Sequence, residues 1–239
     1  MSVEPSRIAA NLAEVRGRVA AACARSGRRP EELRLVAVTK TVGVEEINSL
    51  LALGQMDIGE SRVQDALVKR AAAGPGARWH MIGHLQRNKV KRALELFDAI
   101  HSVDSERLAL TVSQEALSKG TRAKALLEVN TSACLAGRQG EESKFGLAEK
   151  ELFALVRKLA DGGDFRGLEA VGLMTMGPLS GDPEAARSCF RRLAQLRAKV
   201  GEIFRGGGFS ELSMGMTGDF EAAVEEGATM LRIGTALFK

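Results

Sequence analysis

The sequence predicts an α/β fold, a single-domain (β/α)8 barrel. Three observations carry that expectation. Short apolar runs with β-branched residues alternate with amphipathic stretches, the alternation repeats eight times, and 239 residues fall just under the usual length of such a barrel. The strand candidates are LRLVAVT (33–39), QMDIG (55–59), RWHMIG (78–83), DAIHSV (98–103), KALLEVN (124–130), LEAVGLMTM (168–176), SELSM (210–214) and MLRIGT (230–235). Several are nearly continuous apolar runs, the pattern of strands buried on both faces of a parallel sheet. A doubly wound open sheet is the alternative on pattern alone.

The intervening segments carry helix signals. An Arg-rich helix over 7–25 precedes the first strand. Ser105 caps ERLALTVSQEALSKG, where Leu108, Val112 and Leu117 share a face and Gly120 ends the run. Asp182 and Pro183 supply an N-cap and a first-turn proline for EAARSCFRRLAQLRAKV, with Phe190, Leu193 and Leu196 inward. Thr217 opens GDFEAAVEE, which stops at Gly227. Eight helices are expected, the N-terminal one included. The Gly-rich pieces DGGDFRG and RGGGF sit just before strands six and seven and read as turns, so residues 1–239 form one domain.

Composition narrows the function classes. With 45% hydrophobic and 27% charged residues, a core is available without disulfides or metal. The formal net charge of +4 suits an anionic small molecule about as well as nucleic acid. The basic run Arg87, Lys89, Lys91, Arg92 reads as a solvated helix face, because a single tryptophan leaves no aromatic interleaving for bases. Cys23, Cys134 and Cys189 are odd in number and far apart, which points to a reducing compartment, and the cytoplasm is expected. His80, His84 and His101 make no zinc pattern with them. No apolar run is long enough to cross a bilayer. The chain contains no tyrosine, so no mechanism can use a phenol as acid or base.

Functional groups of a barrel sit just past the C-terminal ends of its strands. That filter selects Lys40, Gly59–Glu60, Gly83–His84, Asn130, Met174 and Met176, Ser213–Gly215 and Arg232–Thr235. The loops SMGMTGD and IGT offer glycine N–H groups, the Ser213 and Thr235 hydroxyls and a helix start, the parts of a phosphate cradle. Turn glycines and a cap read equally well from the residues alone. Lys40 follows an apolar strand. Burial there would disfavour its ammonium, and a neutral amine attacks an aldehyde to form an imine. A lysine and a phosphate cradle in one mouth point to a phosphorylated aldehyde or ketone. No G-x-G-x-x-G, P-loop, H-E-x-x-H or G-x-S-x-G motif is present.

The segments VAVTKT around Lys40, GESRVQDAL (59–67), WHMIGHLQRNK (79–89), HSVDS (101–105), ESKFGL (142–147), GLMTM (172–176) and the 27-residue LSMGMTGDFEAAVEEGATMLRIGTALF (212–238) resemble the pyridoxal phosphate homeostasis proteins. The resemblance spans nearly the whole chain. It implies a fold-type III TIM barrel that binds pyridoxal 5′-phosphate (PLP), similar to the alanine racemase N-terminal domain without its C-terminal β-domain. By position, Lys40 resembles the lysine that forms the aldimine with PLP. Ser213, Gly215, Gly234 and Thr235 resemble phosphate ligands, and Arg232 resembles the partner of the pyridine nitrogen. Lys144 occupies the family's other notable lysine position. Ser61 stands where the family usually has Asn. Arg62, His84, Arg87 and the terminal Lys239 are further departures.

Arginine only donates hydrogen bonds, so Arg232 requires an unprotonated ring nitrogen, and a neutral pyridine is a weak electron sink. Racemases of this fold also draw a tyrosine from the second domain. The resemblance therefore implies a PLP carrier without turnover, monomeric, handing cofactor to apo-enzymes. An amino-acid racemase using Cys134, His84 or Lys144 as its second proton-transfer group is the alternative. A sugar-phosphate isomerase or aldolase ranks last.

Overall fold

Eight parallel strands pair in chain order and close on themselves in a computed structural model that describes residues 3–132, 145–178, 182–204 and 207–239. They are β1 (Arg34–Val38), β2 (Asp57–Glu60), β3 (Arg78–Met81), β4 (Ala99–Val103), β5 (Ala123–Glu128), β6 (Leu168–Met174), β7 (Glu211–Ser213) and β8 (Met230–Ile233). The expected (β/α)8 barrel is the fold, and the open sheet is excluded because β1 pairs with β8. Every predicted strand is present, most of them shorter than its apolar run, because the last residues of those runs leave the ladder to enter the loops at the mouth.

The helices are α1 (Pro5–Arg25), α2 (Val44–Ala52), α3 (Val63–Ala72), α4 (Val90–Leu96), α5 (Glu106–Ser118), α6 (Glu149–Asp161), α7 (Pro183–Ile203), α8 (Phe220–Glu225) and α9 (Thr235–Phe238). Nine are therefore found among the described residues, one more than expected, because the chain after β8 coils into the short α9. Ser105 and Asp182 cap α5 and α7 as predicted. Phe190, Leu193 and Leu196 are fully buried, but Leu117 is exposed in the last turn of α5. Helix α8 starts at Phe220 instead of following Thr217, because 217–219 form a turn in which Asp219 accepts from the Met216 N–H at 2.6 Å. None of the described helices is long and apolar enough to cross a membrane.

Strand alternation separates two interiors. On β8, Leu231 and Ile233 join the apolar core between sheet and helices, with Ala37 and Ile58 of β1 and β2. Met230 and Arg232 face the barrel axis instead. The axis is unusually polar: Asp57, His80, His101, Glu128, Ser213 and Arg232 are all buried, where barrels of this class are mostly filled by branched aliphatics.

Candidate functional site

The C-terminal ends of the strands enclose a cavity of about 340 Å³. Lys40 follows β1 and Ser61 follows β2, while Ile82, Gly83 and His84 follow β3. Glu128 ends β5, Met176 lies past β6, Met216 to Gly218 past β7, and Arg232 to Thr235 on and after β8. The parallel register brings these distant segments together: Val36 pairs with Arg232, and Val38 pairs with Gly59. Gly234, two residues beyond Arg232, comes level with and packs on Val38, and Lys40 lies two residues further toward the rim of the same cavity.

Arg232 is the most constrained cation of the site. It is 4% exposed, and its guanidinium donates to Ser213 Oγ at 2.6 Å and to the Thr175 carbonyl at 2.9 Å. Those bonds use two of its five N–H donors. Among the described residues the others have no hydrogen-bond partner and no carboxylate within ion-pair distance. Burial lowers this group to about 10, opposed by Glu128 and Asp219, so it stays charged at neutral pH. Glu128 responds in the opposite sense. Burial, reinforced by Asp104, raises its carboxyl to about 7, with Arg232 pulling it back.

The loops after β7 and β8 form the wall facing Lys40. Gly215 holds a left-handed backbone (φ +90°), and a Cβ there would stand 2.6 Å from the Ala223 methyl. Only glycine allows α8 to pack this close to the strand end. Thr217 presents its hydroxyl in the cavity wall, accepting from the Ala236 N–H at 3.3 Å and so tying the two loops together. His84 closes the opposite rim, its ring stacked on Phe145 (4.2 Å between centroids) and its Nδ1 2.9 Å from Asp104.

Residues 3–239 match the family model of the alanine racemase N-terminal domain. The chain is 38% identical to the pyridoxal phosphate homeostasis protein of Aquifex aeolicus, with 95% of each protein covered. It is 34% identical to the protein of that name from Escherichia coli K12, covering 97% of this chain and 95% of that one. The chain belongs to the pyridoxal phosphate homeostasis protein family. Within solved structures, PipY of Synechococcus elongatus PCC7942 with PLP bound superposes with a TM-score of 0.82 at 32% identity, covering 97% of this chain and all of PipY. A D-threo-3-hydroxyaspartate dehydratase from Delftia sp. HT23 shares the fold alone, at 22% identity and a TM-score of 0.71 over 60% of its own chain.

Against this family pattern, the structure brings together Lys40, Arg232, Gly234 and Thr235 in one cavity. It does not bring Ser213 or Gly215 to the cavity wall. Ser213 faces the axis, fully buried, with its oxygen taken by Arg232 and by the His101 ring at 2.9 Å. Gly215 packs against α8. Thr217 and Gly218, two to five residues further on, occupy the wall in their place. Lys40 is exposed, so the burial expected to neutralise its amine is not supplied by the surrounding protein. Lys144 and Cys134 lie outside the described residues. Ser61 and His84, two of the family departures, both line the cavity. Glu128 was not singled out from the sequence. Its only signal is an acidic residue inside the apolar run KALLEVN, which burial turns into a titrating group.

Proposed function

We propose that this chain binds PLP in the mouth cavity and holds it as a reserve within the cell, without turning over an amino acid. The observation that carries the reading is the pair Lys40 and Arg232: two cations, neither with a carboxylate partner among the described residues, on one glycine-rich cavity. The donor set fits the cofactor. Arg232 retains N–H groups for a ring-nitrogen acceptor, and Thr217, Gly218, Gly234 and Thr235 offer small, polar surface for a phosphate. When bound, the cofactor supplies an aldehyde carbon with which an amine condenses, losing water as a carbon–nitrogen double bond forms. Lys40 is the amine. The relatives named for PLP homeostasis and PipY with PLP bound support PLP as the ligand.

Arg232 also bears on the absence of turnover. It can only donate, so it holds a bound pyridine in its neutral form and leaves the ring a poor sink for electrons. The carrier is a monomer that passes cofactor to apo-enzymes in the cytoplasm. Borohydride treatment of the yellow protein should trap the cofactor on the peptide containing Lys40. A colourless protein that takes up no PLP, or trapping elsewhere, overturns the reading.

One observation favours a second reading, an amino-acid racemase. Glu128, near neutral at the cavity, is placed to exchange a proton. Rapid deuterium exchange at the α-carbon of added amino acids, lost in Glu128→Gln, would select it. No exchange selects the carrier.

A further inference from the structure

A single file of hydrogen bonds runs along the barrel axis beneath the cavity. Arg232 donates to Ser213 Oγ at 2.6 Å, and Ser213 Oγ lies 2.9 Å from His101 Nδ1. His101 Nε2 is 3.0 Å from His80 Nδ1, with the two rings edge-on, and His80 Nε2 is 2.9 Å from Asp57 Oδ1. Arg78 grips Asp57 with two hydrogen bonds, of 2.9 and 2.6 Å. Arg232 lines the mouth cavity, whereas Asp57 and Arg78 line another cavity at the opposite end of the barrel. The file therefore spans the whole interior, joining residues of β2, β3, β4, β7 and β8.

Counting hydrogens gives the file one direction. An ionised carboxylate only accepts, so His80 Nε2 carries a hydrogen. A neutral His80 then accepts at Nδ1, which makes His101 a donor at Nε2 and an acceptor at Nδ1. Ser213 gives its hydroxyl hydrogen to that nitrogen, and its lone pairs are left for Arg232. Every group is satisfied, with both rings in the same tautomer. If either ring were protonated, His101 Nδ1 would become a donor to the second lone pair of Ser213 Oγ, beside Arg232. The serine hydrogen would then have no acceptor in the file. Burial works the same way, since His101 is fully enclosed and its charged form is disfavoured. Asp57 is held well below the ordinary carboxylate range by its bonds to His80 and Arg78, which outweigh its burial. It is a permanent acceptor at neutral pH.

The file conducts no proton to the cavity, because a guanidinium does not release one at neutral pH. We propose instead that it is an orienting device: Asp57, at the far end of the barrel, sets the direction of four successive hydrogen bonds that hold Arg232 with its remaining N–H groups available to a ring nitrogen in the mouth. His101, His80 and Asp57 are thus positioning residues for a ligand that none of them touches. The choice of ring nitrogen as the ligand atom rests on the PLP reading given above, whereas the direction of the file does not.

Two measurements test it. Long-range ¹H–¹⁵N spectra of the histidine-labelled protein, with no cofactor added, should show His80 and His101 both neutral with hydrogen on Nε2 at pH 7. A hydrogen on Nδ1 of either neutral ring, or a charged ring, overturns the proposal. Asp57→Asn should disturb the His101 tautomer, shift the absorption maximum of added PLP and weaken its uptake about tenfold, as expected for one misaligned charge-assisted hydrogen bond. Arg78→Gln removes the ion pair but leaves the acceptor, and should change neither tautomer nor spectrum. Should Asp57→Asn fail to fold, His101→Asn carries the same expectation for the spectrum. An unaltered absorption maximum and affinity in the folded variant overturn the proposal. If the unmodified protein takes up no PLP at all, the functional reading fails while the tautomers still decide the file.

Discussion

The two ends of this barrel are built from the same kinds of charged side chain and use them in opposite ways. At the base, Asp57 accepts two hydrogen bonds from Arg78, and Glu211 faces Arg34 at 3.9 Å. At the mouth, Lys40 and Arg232 have no ion-pair partner among the described residues, and Glu128 beside them is pushed toward its neutral form. The basal cavity is the larger, about 540 Å³ against 340 Å³, yet Asp57, Arg78, Arg34, Glu211 and Glu32 on its wall are paired within the protein. At the mouth two cations, unpaired among the described residues, share one glycine-rich wall, a difference that neither cavity size nor the number of arginines expresses.

The largest effect should come from the mouth. Lys40→Ala should abolish the imine absorbance altogether. An exposed side chain with no partner contributes little to folding, so unfolding should change by less than about 0.5 kcal/mol. A large loss of stability would show that Lys40 is structural and would break the contrast. Arg232→Gln should cost about 3 kcal/mol, because two buried charge-assisted hydrogen bonds are lost, and should shift the absorption of bound PLP. Denaturant titration and an absorbance scan measure the two parts.

Glu128 gives a pH signature of similar size. Its carboxyl sits near 7 in the folded protein, above its ordinary 4.5, so the native state keeps a proton that the unfolded chain releases. Stability should therefore fall by up to about 3 kcal/mol as pH rises from 4.5 through 7. Glu128→Gln should remove that fall, read as the difference between variant and parent so that the buried histidines cancel. A difference that is flat with pH would place Glu128 among the ordinary carboxylates. Thr217→Val should weaken PLP uptake about tenfold, with no effect on pyridoxal lacking the phosphate. Equal losses for both ligands would move the phosphate away from this wall. The smallest effect belongs to the base, where Arg34→Gln should change stability by less than about 1 kcal/mol and leave cofactor uptake unaltered.

Much of the fold was legible from the chain alone. Strands buried on both faces must be apolar almost throughout, so runs such as LRLVAVT and LEAVGLMTM stand out against the helices between them. The position of Lys40, Arg232, Gly234 and Thr235 at the mouth follows from their place at strand ends. Strand parity turns Ser213 inward. It falls on the axial side of a three-residue strand, and the chain turns only after it, so the hydroxyl reaching the cavity is that of Thr217. Lys40 follows its apolar strand directly, yet one residue past Thr39 the backbone has already emerged from the packed layers.

What the sequence by itself determined is the set of strands and helices, their order and the residues at their ends. These depend on local periodicity, on caps, and on the short reach of a βα unit. What only the tertiary structure decided is which side chains converge on the barrel axis. Asp57, His80, His101, Ser213 and Arg232 lie on five different strands, and no spacing along the chain relates them. They meet because parallel register and barrel closure align their inward faces, leaving each buried polar group to find a partner from another strand.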